Sequence, residues 1–434
     1  MVEHWFEIVQ IVWVGLFCLG GWATHALVMM YATRVVPLME DLPDPSDDQD
    51  KDDQDKQDKR WPRLSVIVPA CNEAETIEKA LETLALVEYP NLEIIAINDR
   101  STDATGDIIN RVASAATQGR ITPLHIDTLP DGWLGKVHAL HQGIQHCSPE
   151  TEWILLTDAD VHFQPTCLKK VLAFACDQEL DFVTALPDVQ TNNHFWLRVT
   201  IIALGEIMGI SGKFWEVHDP NSKAFAGVGP FNLMRKTTYD KSKGMEWLKM
   251  EVSEDVGVGL LMRLVGAKMA MFNARNEILW TWYPSLGAMV RGLEKNLFSL
   301  SGFQYMPTTI VALLLIMTAI APVFAFVPFH IPWLQWCGVA ILVLHCIYGV
   351  VYSRWLNFNP LAGIFLFLGK IIVAGMFFNA MWQFRKRQGI LWRGTFYPHD
   401  LLQEGSRVSR FKVLLKEEEK QQKTTDGDEK PTDP

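Results

Sequence analysis

The most constraining feature of this sequence is an uncharged stretch near its start, Ile8–Tyr31, which contains no Lys, Arg, Asp or Glu. A helix of that length can cross the ~30 Å hydrocarbon core of a bilayer. Neither a basic start nor a small-residue cleavage site accompanies it, so the pattern favours a retained anchor over a removed signal peptide. Three further apolar stretches occur late in the chain and indicate an integral membrane protein: Ile310–Phe329, Trp336–Tyr352 and Leu361–Trp382.

The distribution of Lys and Arg predicts the orientation of the protein. Arg34 follows the first stretch, whereas Met1–Trp5 carries neither Lys nor Arg. The positive-inside rule therefore places residues 34–305 on the cytoplasmic side of the cell membrane. The last stretch, Leu361–Trp382, contains Lys370, whose insertion into a bilayer costs about 2.5–3.5 kcal/mol unless it is paired. We therefore expect a re-entrant or interfacial hairpin there, which keeps the C-terminus inside; a full crossing is the alternative.

Charge and cysteine usage limit the possible partners and divide the chain. The formal net charge of −11 argues against nucleic acid as a partner, because phosphate binding requires a basic surface. The seven cysteines form no CxxC pair, which is typical of reduced, buried thiols. The acidic linker and the polar tail given below contain too few apolar residues to form a buried core, so we expect both to be disordered. The predicted domains are an anchor over 1–36, an acidic disordered linker over 37–62, a catalytic domain over 63–300, a membrane region over 301–400 and a disordered polar tail over 401–434.

Strand and helix patterns alternate after the acidic linker. Leu64–Ala70 and Leu92–Asp99 are short, apolar, β-branched runs typical of buried strands, and Asn72–Leu86 has apolar residues at helical spacing. Further strands are predicted at Ile121–Ile126 and in "WILLTDAD". This alternation predicts an α/β domain whose parallel sheet is covered on both faces. In such sheets ligands bind beyond the carboxyl ends of the strands, where the segments "PACNE", "NDRSTD" and "TDAD" occur here.

These segments resemble those of glycosyltransferase family 2, the inverting nucleotide-sugar transferases with a Rossmann-like GT-A catalytic fold. "VIVPACNEAETI" looks like the family's opening strand and loop, and "NDRSTDAT" looks like its DDGSTD-type segment. "DAD" at Asp158–Asp160 matches the metal-binding DXD motif, and Ser253–Met269 resembles the helix that supplies the catalytic base. The resemblance covers roughly Arg63–Phe298, and the occurrence of all the motifs in order makes it specific.

The resemblance implies a role for each matched residue. Asp160, together with Asp158, would hold Mg²⁺ or Mn²⁺, which neutralises the charge of a leaving diphosphate. Asp255 would be the base that an inverting transfer requires, and Glu254 would orient a lysine or the acceptor. The remaining predicted donor-site residues are Pro69, Ala70, Glu73, Asp99 (which would bind the nucleotide base), Lys136, and Arg291 with Lys295 one turn later.

Most of these assignments compete with a structural explanation. Asp158 and Asp160 fit helix capping as well as metal binding, and Asp255 fits a helix N-terminus, whose dipole favours acids. Asp103 is equally compatible with capping a helix and with binding a ligand. Trp215 and Trp247 fit either sugar stacking or a hydrophobic core, and the sequence does not separate the two.

The acceptor is predicted from features related to the membrane. Asp131–Gly143 and "LWRGTFY" (Leu391–Tyr397) resemble motifs of a subset of the family that glycosylates hopanoid- and carotenoid-type lipids. The second motif departs from that subset, because it has Arg393 in place of Lys and Thr395 in place of Arg. The apolar segment His194–Trp215 is expected to lie in the membrane interface beside the site.

The resulting prediction is transfer of one sugar from a nucleotide sugar to a membrane lipid. UDP is expected because it is the commonest donor nucleotide of the family. One alternative is a processive polysaccharide synthase, although the Gln-x-x-Arg-Trp motif of such enzymes is absent from Gly287–Tyr305. The other is a non-catalytic membrane scaffold with a transferase-like domain.

Overall fold

The computed structural model describes residues 2–45, 61–116, 120–320 and 332–409. Most of the predicted acidic linker, residues 46–60, and most of the predicted tail, residues 410–434, lie outside this range.

A mixed eight-stranded sheet forms the centre of the predicted catalytic domain, in the order β3-β2-β1-β4-β7-β6-β8-β5. Strands β3, β2, β1 and β4 are parallel, as the alternating pattern predicts, whereas β7 runs antiparallel between β4 and β6. A separate antiparallel hairpin, β9–β10, occurs near the C-terminus. The strands are β1 (Leu64–Ala70), β2 (Leu92–Asp99), β3 (Ile121–Ile126), β4 (Trp153–Leu156), β5 (Val161–Phe163), β6 (Phe182–Val189), β7 (Asn232–Arg235), β8 (Met269–Trp280), β9 (Gly389–Trp392) and β10 (Thr395–Pro398).

Helices cover the sheet and form the membrane region. Short 3₁₀ turns occur at Met39–Asp41 and Phe214–Glu216. The helices are α1 (Val2–Val35), α2 (Ile77–Ala85), α3 (Thr105–Ala115), α4 (Gly135–Gln145), α5 (Cys167–Asp177), α6 (Phe195–Gly212), α7 (Lys236–Tyr239), α8 (Gly244–Trp247), α9 (Glu254–Leu264), α10 (Leu286–Gly292), α11 (Glu294–Ser299), α12 (Tyr305–Ile320), α13 (Pro332–Trp355), α14 (Pro360–Ile364), α15 (Leu366–Arg387) and α16 (His399–Gly405).

Burial of apolar side chains on both faces of the sheet explains why these segments fold as they do. Every residue of β1 is buried, as expected for a central parallel strand. Helix α2 buries Ile77, Ala80, Leu81 and Leu84, the residues whose helical spacing predicted it. The register pairs Leu64 of β1 with Leu92 of β2 and Trp153 of β4, so the carboxyl ends of these strands meet at one edge.

Four helices of the described residues are long and apolar enough to cross a membrane: Leu16–Val35 of α1, all of α6, Gln335–Trp355 of α13, and all of α15. The predicted stretch Ile310–Phe329 corresponds to α12, whose described part ends at Ile320. The expected hairpin within Leu361–Trp382 is wrong, because α15 is one continuous helix. Its Lys370 is buried and paired with Glu206 of α6, which removes the cost that motivated the hairpin.

The folded part extends beyond the predicted start of the tail. Residues 399–405 form α16, and the following segment binds the buried carboxylate of Glu251. The backbone N–H groups of Arg407 and Val408 donate to Glu251 Oε2 at 2.6 and 3.1 Å. Residues 401–409, assigned to the tail from the sequence, are therefore part of the folded chain and contact the segment before α9.

Candidate active site

A cavity of about 570 Å³ lies at the edge where β1, β2 and β4 end. It is lined by all the residues that the resemblance assigned to the metal, the base and the donor site: Pro69, Ala70, Glu73, Asp99, Lys136, Asp158, Asp160, Glu254, Asp255, Arg291 and Lys295. The tertiary structure thus brings together residues that are more than 200 positions apart in the chain.

Asp158 and Asp160 form one acidic wall of the cavity, in the turn that follows β4. The indole Nε1 of Trp280 donates a hydrogen bond to Asp160 Oδ1 at 3.0 Å. Burial, and next the charge of Asp158, raise the pKa of Asp160 to about 7. Carboxylates that repel each other in a half-enclosed site are stabilised by a bound cation, which this pair is able to attract.

Lys136 connects this wall to the predicted base region. Its ammonium lies 2.6 Å from Asp158 Oδ1 and 2.7 Å from Glu254 Oε1. Although burial by itself lowers the pKa of Lys136, the charges of Asp158 and Glu254 raise it well above its ordinary value. The lysine is therefore a permanent cation that bridges β4 and α9.

Asp255 faces the cavity from the first turn of α9. Its Oδ2 accepts from the N–H of Gly229 at 3.0 Å, and its Oδ1 accepts from the N–H of Val256 at 2.9 Å. Burial, and next the charge of Glu254, raise the pKa of Asp255 to about 7, against the opposing effect of Lys136. A carboxyl group with such a pKa can take up and release a proton near neutral pH, as a general base must.

Two glycines allow the segment before β7 to approach these acids. A Cβ on Gly227 would lie 1.9 Å from the backbone oxygen of Asp255, and a Cβ on Gly229 would lie 2.6 Å from Asp158 Oδ2. At Gly227 only glycine permits this approach, because the clash would be with backbone, and at Gly229 the chain contacts both the Asp158 and the Asp255 carboxylates.

The residues predicted to bind the nucleotide differ from the expectation in one respect. Both carboxylate oxygens of Asp99 accept from the guanidinium of Arg100, at 2.7 and 2.9 Å. Asp99 is therefore ion-paired with Arg100 where it lines the cavity. Asp103 acts as a cap, because it accepts from the N–H and hydroxyl of Thr105 and from the N–H of Ala74, and it is not part of the cavity lining.

Residues 65–242, which supply the parallel strands and most of the acidic wall, match the family model described as "Glycosyl transferase family 2". This part of the chain is a glycosyltransferase family 2 domain. The fold, the enzyme class and the family that the motifs suggested are thereby confirmed.

Curated relatives and solved structures give further similarities. Poly-beta-1,6-N-acetyl-D-glucosamine synthase of Staphylococcus epidermidis is 26% identical over 207 residues, 46% of this chain and 46% of that protein. The 4,4'-diaponeurosporenoate glycosyltransferase of Staphylococcus aureus is 26% identical over 198 residues, 45% of this chain and 50% of that protein. The match thus spans about half the length of these relatives. A mannosyltransferase of Pyrobaculum calidifontis, solved with GDP-Man and Mn²⁺, aligns at 15% identity with a TM-score of 0.47 and covers 86% of this chain and 98% of that one.

The C-terminal hairpin β9–β10 covers the glycosyltransferase cavity, and sequence reasoning gave it no structural role. Arg393 in its turn pairs with Glu73 across the cavity, and the N–H of Gly135 donates to the Tyr397 hydroxyl at 3.3 Å. The Lys295 ammonium lies 3.8 Å from the centre of the Trp392 ring. The resemblance of "LWRGTFY" to a family motif was the one sequence signal for this hairpin.

Lys295 is a cation of the cavity lining whose pKa lies below its ordinary value. Burial lowers its pKa to about 8, although the nearby acids Glu254 and Asp255 oppose that effect. An incoming diphosphate would stabilise the charged form, because a cation in a low-dielectric site gains most from a new anion.

Part of the cavity lining is apolar, and we call this part the apolar end. Ile201, Gly205 and Met208 of α6 line it at helical spacing, and Ala380 and Phe384 of α15 line it from the facing helix. The segment His194–Trp215 therefore lies beside the candidate site, and its expected position in the membrane interface stays a prediction. Trp215 and Trp247 are absent from the cavity lining and pack against the hydrophobic core, which resolves the alternative that the sequence left open.

The residues available for a metal are Asp158 and Asp160. Among the described residues, no cluster of three or more His, Cys, Asp or Glu side chains has the arrangement of a complete protein metal site. Mg²⁺ and Mn²⁺ need no such cluster when substrate phosphates and water complete the shell, and one or two carboxylates are then sufficient. The Asp158–Asp160 pair, with its mutual repulsion, fits an ion of this kind.

Proposed function

We propose that this protein is an inverting glycosyltransferase that moves a single sugar from a nucleotide sugar, with UDP as the expected nucleotide, to a membrane lipid. The main support is the arrangement of the cavity: a carboxylate pair and Lys136 at one side, Asp255 at the other, and an apolar end formed by α6 and α15. A soluble acceptor would have no use for that apolar end.

In the proposed reaction Asp255 accepts the proton of the acceptor hydroxyl as its oxygen attacks the anomeric carbon. The bond from that carbon to the diphosphate breaks on the opposite face, so the configuration inverts. Bound Mg²⁺ or Mn²⁺, held by Asp160 and Asp158, would neutralise charge on the departing diphosphate. Lys295 and Arg291 add positive charge near that leaving group, and Glu254 holds Lys136 in position.

One relative supports a lipid acceptor, and another supports a polysaccharide product. The Staphylococcus aureus relative is named as a glycosyltransferase of 4,4'-diaponeurosporenoate, whereas the Staphylococcus epidermidis relative is named as a synthase of poly-beta-1,6-N-acetyl-D-glucosamine. Both are equally similar to this chain. The absence of a Gln-x-x-Arg-Trp sequence from Gly287–Tyr305 favours single addition over processive synthesis.

A cytoplasmic location of the catalytic domain is part of the proposal. Arg34 at the end of α1 and Arg354 at the end of α13 lie on the catalytic side of helices that are apolar enough to span, as the positive-inside rule requires. The basic end of α15, Arg385–Arg387, lies on the same side, because Arg387 lines the cavity.

The function is tested with the full-length protein in nanodiscs, incubated with UDP- and GDP-sugar panels, Mg²⁺ or Mn²⁺, and a membrane lipid extract. We expect one donor to be consumed and one lipid to gain the mass of one sugar, with inverted configuration by NMR. Asp160→Ala should abolish turnover and weaken Mn²⁺ binding measured by EPR, whereas Asp131→Asn, at an exposed acid outside the cavity, should change neither.

Three results would contradict the proposal in different ways. No donor consumption with any panel member rejects the transferase activity. A polymer in place of a mass increase of one sugar supports the processive alternative. Turnover that is unaffected by Asp160→Ala rejects the role of the carboxylate pair.

A further inference from the structure

Helices α6 and α15 are long and apolar enough to cross a membrane, and the chain before and after each of them contributes residues to the cavity lining. The strand before α6 contributes Val189 to the cavity, and the segment after it contributes Gly229. Leu356 precedes α15 and Ile390 follows it, and both also line the cavity. The segments that flank each helix therefore tie it to the cavity.

A buried ionic cluster joins these two helices to α1. Glu206 of α6 and Lys370 of α15 are 1% and 3% exposed, and their Oε1 and Nζ atoms are 2.8 Å apart. The same Glu206 oxygen lies 2.5 Å from His25 Nε2 of α1. Lys370 also lies 4.6 Å from the centre of the Trp22 ring. We call His25, Glu206 and Lys370 the ionic clamp.

The segment that follows α1 is attached to the catalytic sheet as well. The N–H of Asn273 in β8 donates to Pro37 O at 2.9 Å. Glu40 accepts from Arg275 Nε at 2.6 Å and from Asn276 Nδ2 at 2.7 Å. Helix α1 is thus fixed at its middle by the clamp and at its end by β8, which is more than a membrane anchor requires.

The clamp lies next to the apolar end of the cavity. Gly205, the residue before Glu206, lines that end, and Ile201 and Met208 line it one turn before and after. A Cβ on Gly205 would lie 3.2 Å from the Tyr352 hydroxyl, so α6 is closely packed at this level. A rotation or shift of α6 would therefore change the width of the apolar end directly.

We propose that His25, Glu206 and Lys370 are positioning residues that hold α6 and α15 at the spacing that admits an apolar acceptor, and that α1 is consequently part of the catalytic unit. This inference rests on the proposed lipid acceptor. Apolar contacts alone tolerate rotation and sliding of helices. The buried Glu206–Lys370 ion pair, in which Glu206 also accepts a hydrogen bond from His25, allows only one arrangement of the helices. Removal of one partner leaves a buried charge uncompensated and releases that constraint.

The test measures acceptor binding separately from the reactivity of the donor. Full-length variants in nanodiscs are assayed for donor hydrolysis by water, for transfer to the lipid extract, and for labelling of α6 and α15 by a C18 alcohol that carries a diazirine. We expect His25→Phe and Glu206→Gln to reduce transfer and labelling by about tenfold, because each loses a charge-assisted hydrogen bond, and to change hydrolysis less than about twofold. Lys370→Arg should keep all three within about threefold, because the ion pair is preserved.

Leu27→Phe is the matched control, since Leu27 lies on the exposed face of α1 at 67% exposure. It should behave as wild type. Unchanged transfer and labelling in His25→Phe overturns the proposal, and so does an equal loss of hydrolysis, transfer and labelling, which indicates a general folding defect. His25→Phe remains informative if Glu206→Gln does not fold. Labelling does not require turnover. If the wild-type protein hydrolyses no donor, the proposed function is rejected, and the labelling still tests the clamp.

Discussion

Substitution of Gly229 by alanine introduces one methyl group against the carboxylate of Asp158 in the candidate active site. Its Cβ would lie 2.6 Å from Asp158 Oδ2, whereas ordinary van der Waals contact begins at 3.4 Å. The carboxylate must therefore move by about 0.8 Å, because the surrounding protein is close-packed. The other oxygen of Asp158 is held 2.6 Å from Lys136, so this movement also disturbs the ion pair.

We expect Gly229→Ala to lower kcat/KM for donor turnover by about 100-fold, since a misplacement of about 1 Å in a reacting site has that effect. The backbone conformation of Gly229 is one that alanine adopts, so the fold should persist. Steady-state kinetics measures the loss, and isothermal titration with the donor nucleotide, with and without Mn²⁺, locates it. Most of the loss should appear in the Mn²⁺-dependent part of nucleotide binding.

Gly375→Ala is the matched control, because a Cβ there meets no atom within 4 Å. It should retain wild-type kinetics. A kcat/KM of Gly229→Ala within about threefold of wild type, in a protein with an unchanged melting temperature, would refute the reasoning. Such a result would mean that Asp158 moves aside without functional consequence.

Asp255→Asn should lower kcat by about 10²–10⁴-fold with little change in nucleotide affinity by titration, because it removes the proposed base without altering the donor side; full activity would reject that role. The pKa of Asp255 is raised to about 7, and a base must be deprotonated, so kcat/KM should fall as the pH drops below about 7. In Glu254→Gln the acid limb of this profile should move to lower pH, because the neighbouring charge that raises the Asp255 pKa is removed; an unmoved limb would assign the titration to another group. Glu251→Ala should destabilise the protein by about 3 kcal/mol, since the N–H groups of Arg407, Val408 and Ser253 lose their buried acceptor. Thermal unfolding in detergent, compared with Glu246→Ala at an exposed acid, measures that loss, and equal melting temperatures would contradict it.

The sequence alone determined the catalytic half of the molecule to a large extent. β1, β2 and β3 have the predicted bounds, because continuous apolar runs between polar turns leave little freedom for a buried strand. Among the acids of the segments predicted to meet at one edge, Glu73, Asp99, Asp158 and Asp160 line the cavity, whereas Asp103 does not. The reason is that parallel strands present their carboxyl ends at the same edge, whatever the rest of the fold does.

Other features depend on contacts between residues that are far apart in the chain, and only the tertiary structure decided them. Antiparallel β7, the Glu73–Arg393 pair under the C-terminal hairpin, and the attachment of Arg407 and Val408 to Glu251 have no local sequence signal. Lys370 predicted a hairpin because its charge was assessed without a partner, and Glu206 lies 164 positions away. Local patterns report which side chains must be buried, whereas the energy of a buried charge depends on which side chain the fold brings beside it.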